Sequence, residues 1–266
     1  MWNEIIVKDW QHFNEITTKF SSKGWAFRGQ RSKEWKLETS LYRECKNFTD
    51  KMNNEIGFSI ERKMMQEFLS SYKLYSSHQI AEYPNSEDEK EWLEEKLSTL
   101  SIMQHYGTPT RLLDWTYSPY IATFFALDGA IDDFCIYALN TNAIEKFNEQ
   151  KLGIKTIEKY KIFINTRKLK TFLYSYEPFE KNERLRKQQG LFLIPSVLDK
   201  NTDEILDIYG IKNGLLDGEE IALKLIFSKD NINEWWFRLI QMNITHETIY
   251  PGLEGFCKSL KLNIIK

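Results

Sequence analysis

Cysteine, glycine-rich signatures and long apolar runs are scarce in this sequence, and each scarcity excludes a class of protein. The cysteines Cys45, Cys135 and Cys257 lie far apart without CxxC spacing, which argues against a disulfide framework and a structural zinc site. Neither a GxxxxGKS/T nor a GxGxxG motif occurs, so P-loop and dinucleotide fingerprints are absent. No apolar stretch approaches the roughly 20 residues that span a bilayer. We therefore expect a protein of the reducing cytoplasm that binds no metal and no membrane.

A charge excess of one sign is also lacking. The 36 Lys and Arg residues nearly balance 38 Asp and Glu residues, so the net charge of -2 gives no global attraction to nucleic acid or membranes. The acidic start, MWNEIIVKDW, does not have the character of a signal peptide. What the chain has in quantity is hydrophobic and aromatic residues, at 42% and 14% of 266 positions. That composition supports a folded core and excludes a disordered chain.

Apolar spacing divides the chain into a helix-rich part (residues 1–130), a strand-rich part (131–228) and closing helices (229–266). Helices are predicted after Asp9, from Asn54 to Tyr75, from Glu89 to Met103, after Asp230 and from Gly252 to Leu260. Strands are predicted at Gly24–Gln30, Phe134–Asn140, Lys161–Asn165, Thr171–Tyr176, Leu191–Pro195 and Ile221–Phe227. Because few helices alternate with strands, we expect a single α+β domain with a split or mostly antiparallel sheet, on which the N-terminal helices pack.

The strand GWAFRGQ contains the first candidate site. Arg28 lies in an otherwise apolar strand, and an arginine buried there must pair with a structural carboxylate or with an anionic ligand. Gly29 allows close approach of a backbone or a phosphate, and Gln30 offers both a donor and an acceptor. Both interpretations of Arg28 remain open at this point.

The segment Gln104–Leu127 is the second candidate, because polar groups, aromatic rings and two prolines lead into a short apolar helix. Loops of that composition present binding sites on a rigid scaffold. Arg111 and Asp114 are expected to form an ion pair that braces the loop, although either could reach a ligand. His105 and Tyr106 lie at a predicted helix end, where a histidine serves as a cap or as a ligand contact.

The same segment contains a helix start. Ser118 followed by Pro119 has the pattern of an N-cap with proline in the first turn, which explains the serine structurally and also leaves N–H groups for an anion. Phe124 on this helix is expected in the core, with a ligand ring as its alternative partner.

The third candidate is a basic stretch, residues 151–190, in which eleven basic side chains outnumber four acidic ones. Aromatic residues interleave with the bases, a pattern that suits single-stranded nucleic acid and equally suits amphipathic strands with one wet face. The candidate nucleic-acid contacts are Lys168, Lys170, Arg184, Arg186 and Lys187. Gln188 precedes an apolar strand, where its amide could bind a sugar hydroxyl or simply lie in a turn.

These blocks together resemble the FRG domain family. The resemblance rests on Phe27–Arg28–Gly29 with Gln30, on WKLETSLYR at Trp35–Arg43, on QHYGTPTRLLDWTYSP at Gln104–Pro119, on RLRKQQGLF at Arg184–Phe192 and on IYPGLEG near Tyr250. Such domains are similar to distant ADP-ribosyltransferases of bacterial toxin–antitoxin and phage-defence systems. Those enzymes build a split antiparallel sheet around NAD. The resemblance therefore implies an ADP-ribosyltransferase-like fold with NAD as co-substrate.

The resemblance also implies roles for individual residues. The expected catalytic residues are Arg28, Gln188 and Tyr106, and the expected NAD-binding residues are Phe27, Arg28, Gly29, Gln30, His105, Ser118 and Phe124. Gln188 departs from the family pattern, because glutamine stands where those enzymes use a glutamate, and a glutamine cannot act as a base. A nearby carboxylate such as Glu183 is the alternative.

The expected function is transfer of ADP-ribose to a macromolecule, with RNA favoured over protein because of the basic stretch. A toxin of this kind implies a neutralising antitoxin protein as partner. The alternatives are a non-catalytic module that binds nucleotides or nucleic acid, and an NAD glycohydrolase in which water replaces the acceptor.

Overall fold

The computed structural model describes residues 1–21, 24–48, 53–75, 88–164, 169–178 and 182–264. Nine strands occur in these ranges: β1 Asn3–Val7, β2 Trp25–Gln30, β3 Leu113–Thr116, β4 Phe134–Asn140, β5 Leu173–Tyr176, β6 Gly190–Pro195, β7 Leu215–Leu216, β8 Glu219–Glu220 and β9 Ala222–Phe227.

Twelve α-helices occur in the same ranges: α1 Trp10–Thr17, α2 Ser40–Phe48, α3 Asn54–Ser71, α4 Glu89–His105, α5 Pro119–Leu127, α6 Thr141–Gln150, α7 Thr156–Ile164, α8 Glu183–Lys187, α9 Thr202–Ile208, α10 Ile232–Gln241, α11 His246–Ile249 and α12 Gly252–Ser259. Short 3-10 helices lie at Thr18–Ser21, Tyr72–Leu74, Lys229–Asn231 and Leu260–Ile264.

Seven strands form one sheet in the order β1-β9-β4-β2-β3-β6-β5, and β7 pairs with β8 in a separate hairpin. The β1–β9 pair is parallel, and the other neighbours in the large sheet are antiparallel. The prediction of an α+β fold with a mostly antiparallel sheet is therefore confirmed.

Alternating side chains of β4 show how helices cover both faces of this sheet. Phe134, Ile136 and Ala138 belong to one hydrophobic cluster, whereas Cys135 and Tyr137 belong to another. A strand buried on both faces is expected to have a continuous apolar sequence, which is why FCIYALN could be identified as a strand. Helices α1, α5 and α10 pack on the first face, and α3, α4 and α7 pack on the second. The N-terminal helices thus pack on the sheet, as predicted.

The sheet divides between β2 and β3. These two neighbours pair at Phe27 and Thr116, whereas β2 pairs with β4 along its whole length and β3 pairs with β6 along its whole length. Beyond that single pair the two strands separate. A cleft therefore opens within the sheet at the edge of Arg28.

The predicted strand at Lys161–Asn165 is wrong, because residues 156–164 form helix α7. Tyr160 and Phe163, three residues apart on that helix, contact the ring of Trp92 on α4 at centroid distances of 4.9 and 6.3 Å. A five-residue apolar window cannot distinguish a strand from a buried helix, and packing on α4 decides the outcome. Strand β3 went unpredicted because its four residues lie in a segment interpreted as a loop.

Candidate functional site

A cavity of about 280 Å³ lies where β2 and β3 separate. Its walls come from β2, β3 and β6, from the C-terminal end of α4, from α8 and from Tyr250. The polar side chains in its lining include Arg28, Gln104, His105, Asp114, Arg184 and Gln188. The rings of Phe27, Trp115, Phe125, Phe192 and Tyr250 complete it. Convergent polar groups on an aromatic lining are typical of a small-molecule site.

Arg28 lies at the edge of the cleft. Its Nη1 donates to the backbone carbonyl of Asp114 at 2.5 Å, whereas its buried Nε has no hydrogen-bond partner among the described residues. Burial lowers the pKa of this guanidinium, and the nearby carboxylate of Asp114 opposes that shift. This half-buried cation donates to one carbonyl and forms no ion pair with the described residues, so an anionic ligand would stabilise it.

Gln188 reaches the same cavity from the end of α8. It is the C-cap of that helix, and its backbone carbonyl accepts a hydrogen bond from Thr116 Oγ1 at 2.7 Å. Gln189 then adopts a left-handed conformation with φ of 47°, which turns the chain into β6. The buried Nε2 of Gln188 has no partner among the residues that the structure describes. It is therefore a donor available to a hydroxyl or a phosphate.

Arg184 adds a second positive charge to the cavity wall. Its guanidinium lies 5.1 Å from the ring centroid of Tyr250, a cation–π contact that holds the side chain against an aromatic surface. Arg184 and Tyr250 both line the cavity, so charge and ring face are presented together.

The acidic side of the cavity is set by a hydrogen-bonded chain of three residues. Thr110 Oγ1 donates to Gln104 Oε1, which fixes the orientation of the Gln104 amide. Gln104 Nε2 then donates to Asp114 Oδ1 at 2.8 Å. Asp114 is thereby held in the wall of the cavity by one of its two oxygens.

Gly29 lines the cavity, but the packing of the protein itself requires a glycine at this position. A Cβ at Gly29 would lie 2.0 Å from the carbonyl oxygen of Ala122 and 2.6 Å from the backbone nitrogen of Ala126. Helix α5 therefore packs directly on β2 at this residue, and glycine is required there whether or not a phosphate approaches.

Four residues of the predicted site lie outside the cavity lining. Ser118 Oγ accepts from Ile121 N at 3.3 Å and caps α5 as predicted, with Pro119 at the start of the helix. Phe124 is fully buried in the core, so it has the packing role expected of it and not the expected NAD-binding role. Gln30 Nε2 donates to the carbonyl of Lys36 at 3.4 Å.

Tyr106 is the fourth, and it is one of the three expected catalytic residues. It forms the C-cap of α4, is 59% exposed and contacts the ring of His105 edge-on. At this end of α4, His105 lines the cavity, whereas Tyr106 does not.

The predicted ion pair between Arg111 and Asp114 is wrong. Arg111 donates from Nε and Nη2 to the two carboxylate oxygens of Glu61, each at 2.6 Å. Glu61 lies on α3, 50 residues away in sequence, so local spacing could not reveal it. Asp114 does not pair with Arg111. It is exposed and accepts a hydrogen bond from Gln104.

The basic stretch does not form one surface with stacking rings. The aromatic side chains Phe163, Phe172, Tyr174 and Tyr176 are buried in the core, which matches the amphipathic alternative. Lys170 donates to the carbonyl of Leu152 at 2.8 Å.

The remaining members of that stretch separate in space. Lys170 precedes β5, at the end of the β5–β6 pair opposite to α8, which contains Arg184, Arg186 and Lys187. Lys187 forms an ion pair with Glu183 at 3.2 Å, and Glu183 is exposed and lies outside the cavity lining. Lys168 lies outside the described residues.

Part of the cavity lining was not predicted from the sequence. Thr116 and Asn182 line the cavity without having been singled out, and Tyr250 was noted only as part of the closing motif. The strand that contains Thr116 is too short for a periodicity signal. Tyr250 reaches the site through a long-range contact that local sequence does not encode.

The described ranges lack the features of two other kinds of site. They contain no group of three or more His, Cys, Asp or Glu side chains placed to hold a metal ion. No helix within them has the length and apolar character to cross a bilayer.

Comparison with known proteins gives one match. Residues 23–133 match the family model described as the FRG domain. No match was found among curated proteins or among solved structures. The matched range contains Arg28, Gln104, His105 and Asp114, whereas Arg184, Gln188 and Tyr250 lie beyond it.

Proposed function

With an FRG domain at residues 23–133 as the premise, we propose that this protein is an NAD-dependent ADP-ribosyltransferase that modifies a macromolecule. One observation carries the proposal. Three residues that line the cleft between β2 and β3 have a buried nitrogen without a partner among the described residues: Arg28 at Nε, Trp115 at Nε1 and Gln188 at Nε2. Unsatisfied buried donors in a cavity indicate a ligand that supplies acceptors.

NAD supplies the acceptors that these donors require. Its diphosphate would bind Arg28 and Arg184, because two guanidinium groups balance two phosphate charges. Its nicotinamide ring would pack against the aromatic lining, where Phe125 and Tyr250 present ring faces or edges. At about 280 Å³ the cavity is small for a ligand pocket, so it would hold the nicotinamide, its ribose and the adjacent phosphate.

The chemistry requires stabilisation of a positively charged ribose. Cleavage of the N-glycosidic bond releases neutral nicotinamide and leaves oxocarbenium character at C1′ of the ribose. Gln188 can hold a ribose hydroxyl with its amide but provides no negative charge. Asp114 is the carboxylate that lines the cavity within the described residues, and Glu183 does not line it. Asp114 is therefore better placed than Glu183 to supply charge.

The acceptor is proposed to be RNA. Helix α8 places Arg184 in the cavity lining and carries the exposed Arg186, which would contact a phosphate backbone, whereas Lys187 pairs with Glu183. The rings of Phe163, Phe172, Tyr174 and Tyr176 are buried and are not available to stack on RNA bases. A toxin role with a neutralising partner protein follows from the family resemblance.

A second candidate function is a nucleotide-binding module without catalysis. The observation that favours it is the neutral Gln188, since an amide satisfies ribose binding but not base catalysis. A glycohydrolase is the variant of the first proposal in which water takes the place of the acceptor.

Incubation with NAD and total RNA or lysate, followed by mass spectrometry, separates these candidates. Nicotinamide release with ADP-ribose on RNA supports the transferase, release without an adduct indicates a glycohydrolase, and NAD binding without release indicates a binding module. Arg28→Ala should abolish release, whereas Arg62→Ala, an exposed arginine on α3 outside the cavity, should not. Unchanged release by Arg28→Ala would refute the role of Arg28.

A further inference from the structure

A second, open cavity of about 230 Å³ adjoins the first. Arg28, Gln104 and Asp114 line both cavities, so these three residues form the wall between them. The wall is held by hydrogen bonds from Arg28 Nη1 to the Asp114 carbonyl and from Gln104 Nε2 to the Asp114 carboxylate. Two chambers separated by one hydrogen-bonded partition could hold two substrates that react across it.

We propose that the second cavity binds a nucleotide of the RNA acceptor and that Asp114 accepts the proton of the attacking acceptor atom. This inference rests on the proposed function, since it names the acceptor class and the base of the same reaction.

The charges around the second cavity favour an anionic acceptor. Arg43 lines it, is exposed and forms no ion pair with the described residues. Burial is the main cause of the lowered pKa of Arg28, and the positive charge of Arg43 is close enough to lower that pKa further. The lining also contains two carboxylates, of which Glu38 pairs with Lys46 at 3.6 Å and Asp114 accepts a hydrogen bond from Gln104. Neither arginine pairs with them among the described residues, so both guanidinium groups can attract a phosphate.

The rest of the lining can bind a nucleobase or a ribose. Glu38, which pairs with Lys46 at 3.6 Å, offers acceptor oxygens, and Thr108 offers a hydroxyl group. The hydroxyl of Ser40 already bonds to the backbone of Thr110. Carboxylates accept hydrogen bonds from base N–H groups, and hydroxyls bond to bases of either polarity. An open cavity of this size accommodates one splayed-out nucleotide, the form in which single-stranded RNA is read.

Asp114 has the geometry that the proton transfer needs. Its Oδ1 is held by Gln104, whose amide orientation is fixed in turn by Thr110. Oδ2 has no hydrogen-bond partner among the described residues, and the side chain is exposed to both cavities. A carboxylate held by one oxygen can orient the other toward an incoming nucleophile.

The reaction balances without any further reagent. The bond between C1′ of the ribose and the nicotinamide nitrogen breaks, and its electron pair leaves with neutral nicotinamide. The acceptor oxygen or nitrogen forms a new bond to C1′ and loses its proton to Asp114, which passes it to water. The products are ADP-ribosylated RNA, nicotinamide and one proton.

Charge reversal at Arg43 tests the acceptor site. We would measure radiolabelled ADP-ribose on a defined single-stranded RNA, and separately the rise in melting temperature caused by NAD, for Arg43→Glu and for Arg62→Glu as a matched control. Arg43→Glu should lower RNA labelling at least tenfold, because a guanidinium–phosphate contact is replaced by repulsion, and leave the NAD-induced shift unchanged. Arg62→Glu should match the wild type in both readouts.

Three other outcomes would each overturn a distinct statement. Equal labelling by wild type and Arg43→Glu would exclude the second cavity as the acceptor site. Labelling of protein in place of RNA would exclude a nucleotide acceptor. A wild-type protein with neither an NAD-induced shift nor nicotinamide release would sink the proposed function itself, and the acceptor site with it.

Asp114→Asn tests the base. Asparagine keeps an oxygen for the Gln104 hydrogen bond but cannot take a proton, so RNA labelling should fall about 100-fold while NAD binding persists. If Asp114→Asn labels RNA at the wild-type rate, another group takes the proton. If it loses NAD binding as well, Asp114 belongs to the NAD site and not to the transfer step.

Discussion

Arg28 and Arg111 are two arginines of the same fold, one half-buried at the cleft and the other fully buried in the core, and they differ in their partners. Arg111 is fully buried, pairs with both oxygens of Glu61 at 2.6 Å and lies between the rings of Phe58 and Phe163, each 4.6 Å away. Arg28 donates a hydrogen bond to a single backbone carbonyl and has no carboxylate partner among the described residues. Each keeps one buried nitrogen without a partner.

The difference distinguishes a structural arginine from one that we propose binds a ligand. The charge of Arg111 is neutralised inside the protein, so its removal should damage the fold. Arg28 forms no ion pair with the described residues and lines the cavity that we propose as the NAD site, so its removal should damage function and leave the fold intact. The following predictions test this contrast, from the largest expected effect to the smallest.

Breaking the Arg111–Glu61 pair should have the largest effect. Arg111→Ala leaves the buried Glu61 carboxylate without a partner, and we expect a loss of about 3–5 kcal/mol in the free energy of unfolding, measured in urea. Replacing both partners with apolar residues, Arg111→Met and Glu61→Leu together, should restore most of that stability. A cost of less than about 1 kcal/mol for the single variant would mean that the pair is not structural.

Arg28→Met should show the opposite behaviour. We expect NAD affinity to fall at least about 100-fold, by calorimetric titration, because the guanidinium–phosphate contact is lost. The free energy of unfolding should stay equal or rise by about 1 kcal/mol, because a half-buried cation that forms no ion pair with the described residues is removed. A loss of stability as large as that of Arg111→Ala would erase the contrast between the two arginines.

Lys96 extends the contrast to pH. It lies near the Arg111–Glu61 pair, and burial lowers its pKa to about 8, from an ordinary 10.5. Between pH 8 and 10 the unfolded chain therefore binds a proton that the folded protein has lost, so the free energy of unfolding rises with pH by up to about 1.4 kcal/mol per unit. Below pH 8 both states are protonated and this slope vanishes.

Comparison of the wild type with Lys96→Met isolates that slope. Urea unfolding at several pH values between 7 and 10 should give a difference in stability that narrows as pH rises, since methionine never carries the charge. Parallel curves for the two proteins would show that Lys96 titrates normally.

Gln188→Met should have the smallest effect. It removes one neutral hydrogen bond to the ligand, worth about 1 kcal/mol, so NAD affinity should fall about fivefold in the same calorimetric titration. Stability should not decrease, because the deleted Nε2 has no partner among the described residues. A variant that binds NAD as well as the wild type would remove Gln188 from the site.

Features encoded over short distances could be predicted from the sequence. The strand Phe134–Asn140 is continuous and apolar because both faces are covered, and Ser118 with Pro119 marks the start of α5 by cap chemistry alone. Arg28 was identified because a charged residue inside an apolar strand is unusual wherever it occurs.

Features that depend on distant partners could not be predicted. Arg111 was assigned to Asp114, three residues away, because the true partner Glu61 is 50 residues away on another helix. The segment at Lys161–Asn165 was assigned as a strand because its packing on α4 is tertiary. The wall shared by two cavities likewise depends on where β2 and β3 separate, which a sequence pattern does not encode.

A crystal structure with a non-hydrolysable NAD analogue tests the assignment of Arg28 most directly. We predict the diphosphate within hydrogen-bond distance of Nε of Arg28 and a ribose hydroxyl within reach of Nε2 of Gln188, with Arg111 still bonded to Glu61. An analogue bound elsewhere, or one that leaves Arg28 Nε without contact, would contradict the assignment of the β2–β3 cleft as the NAD site.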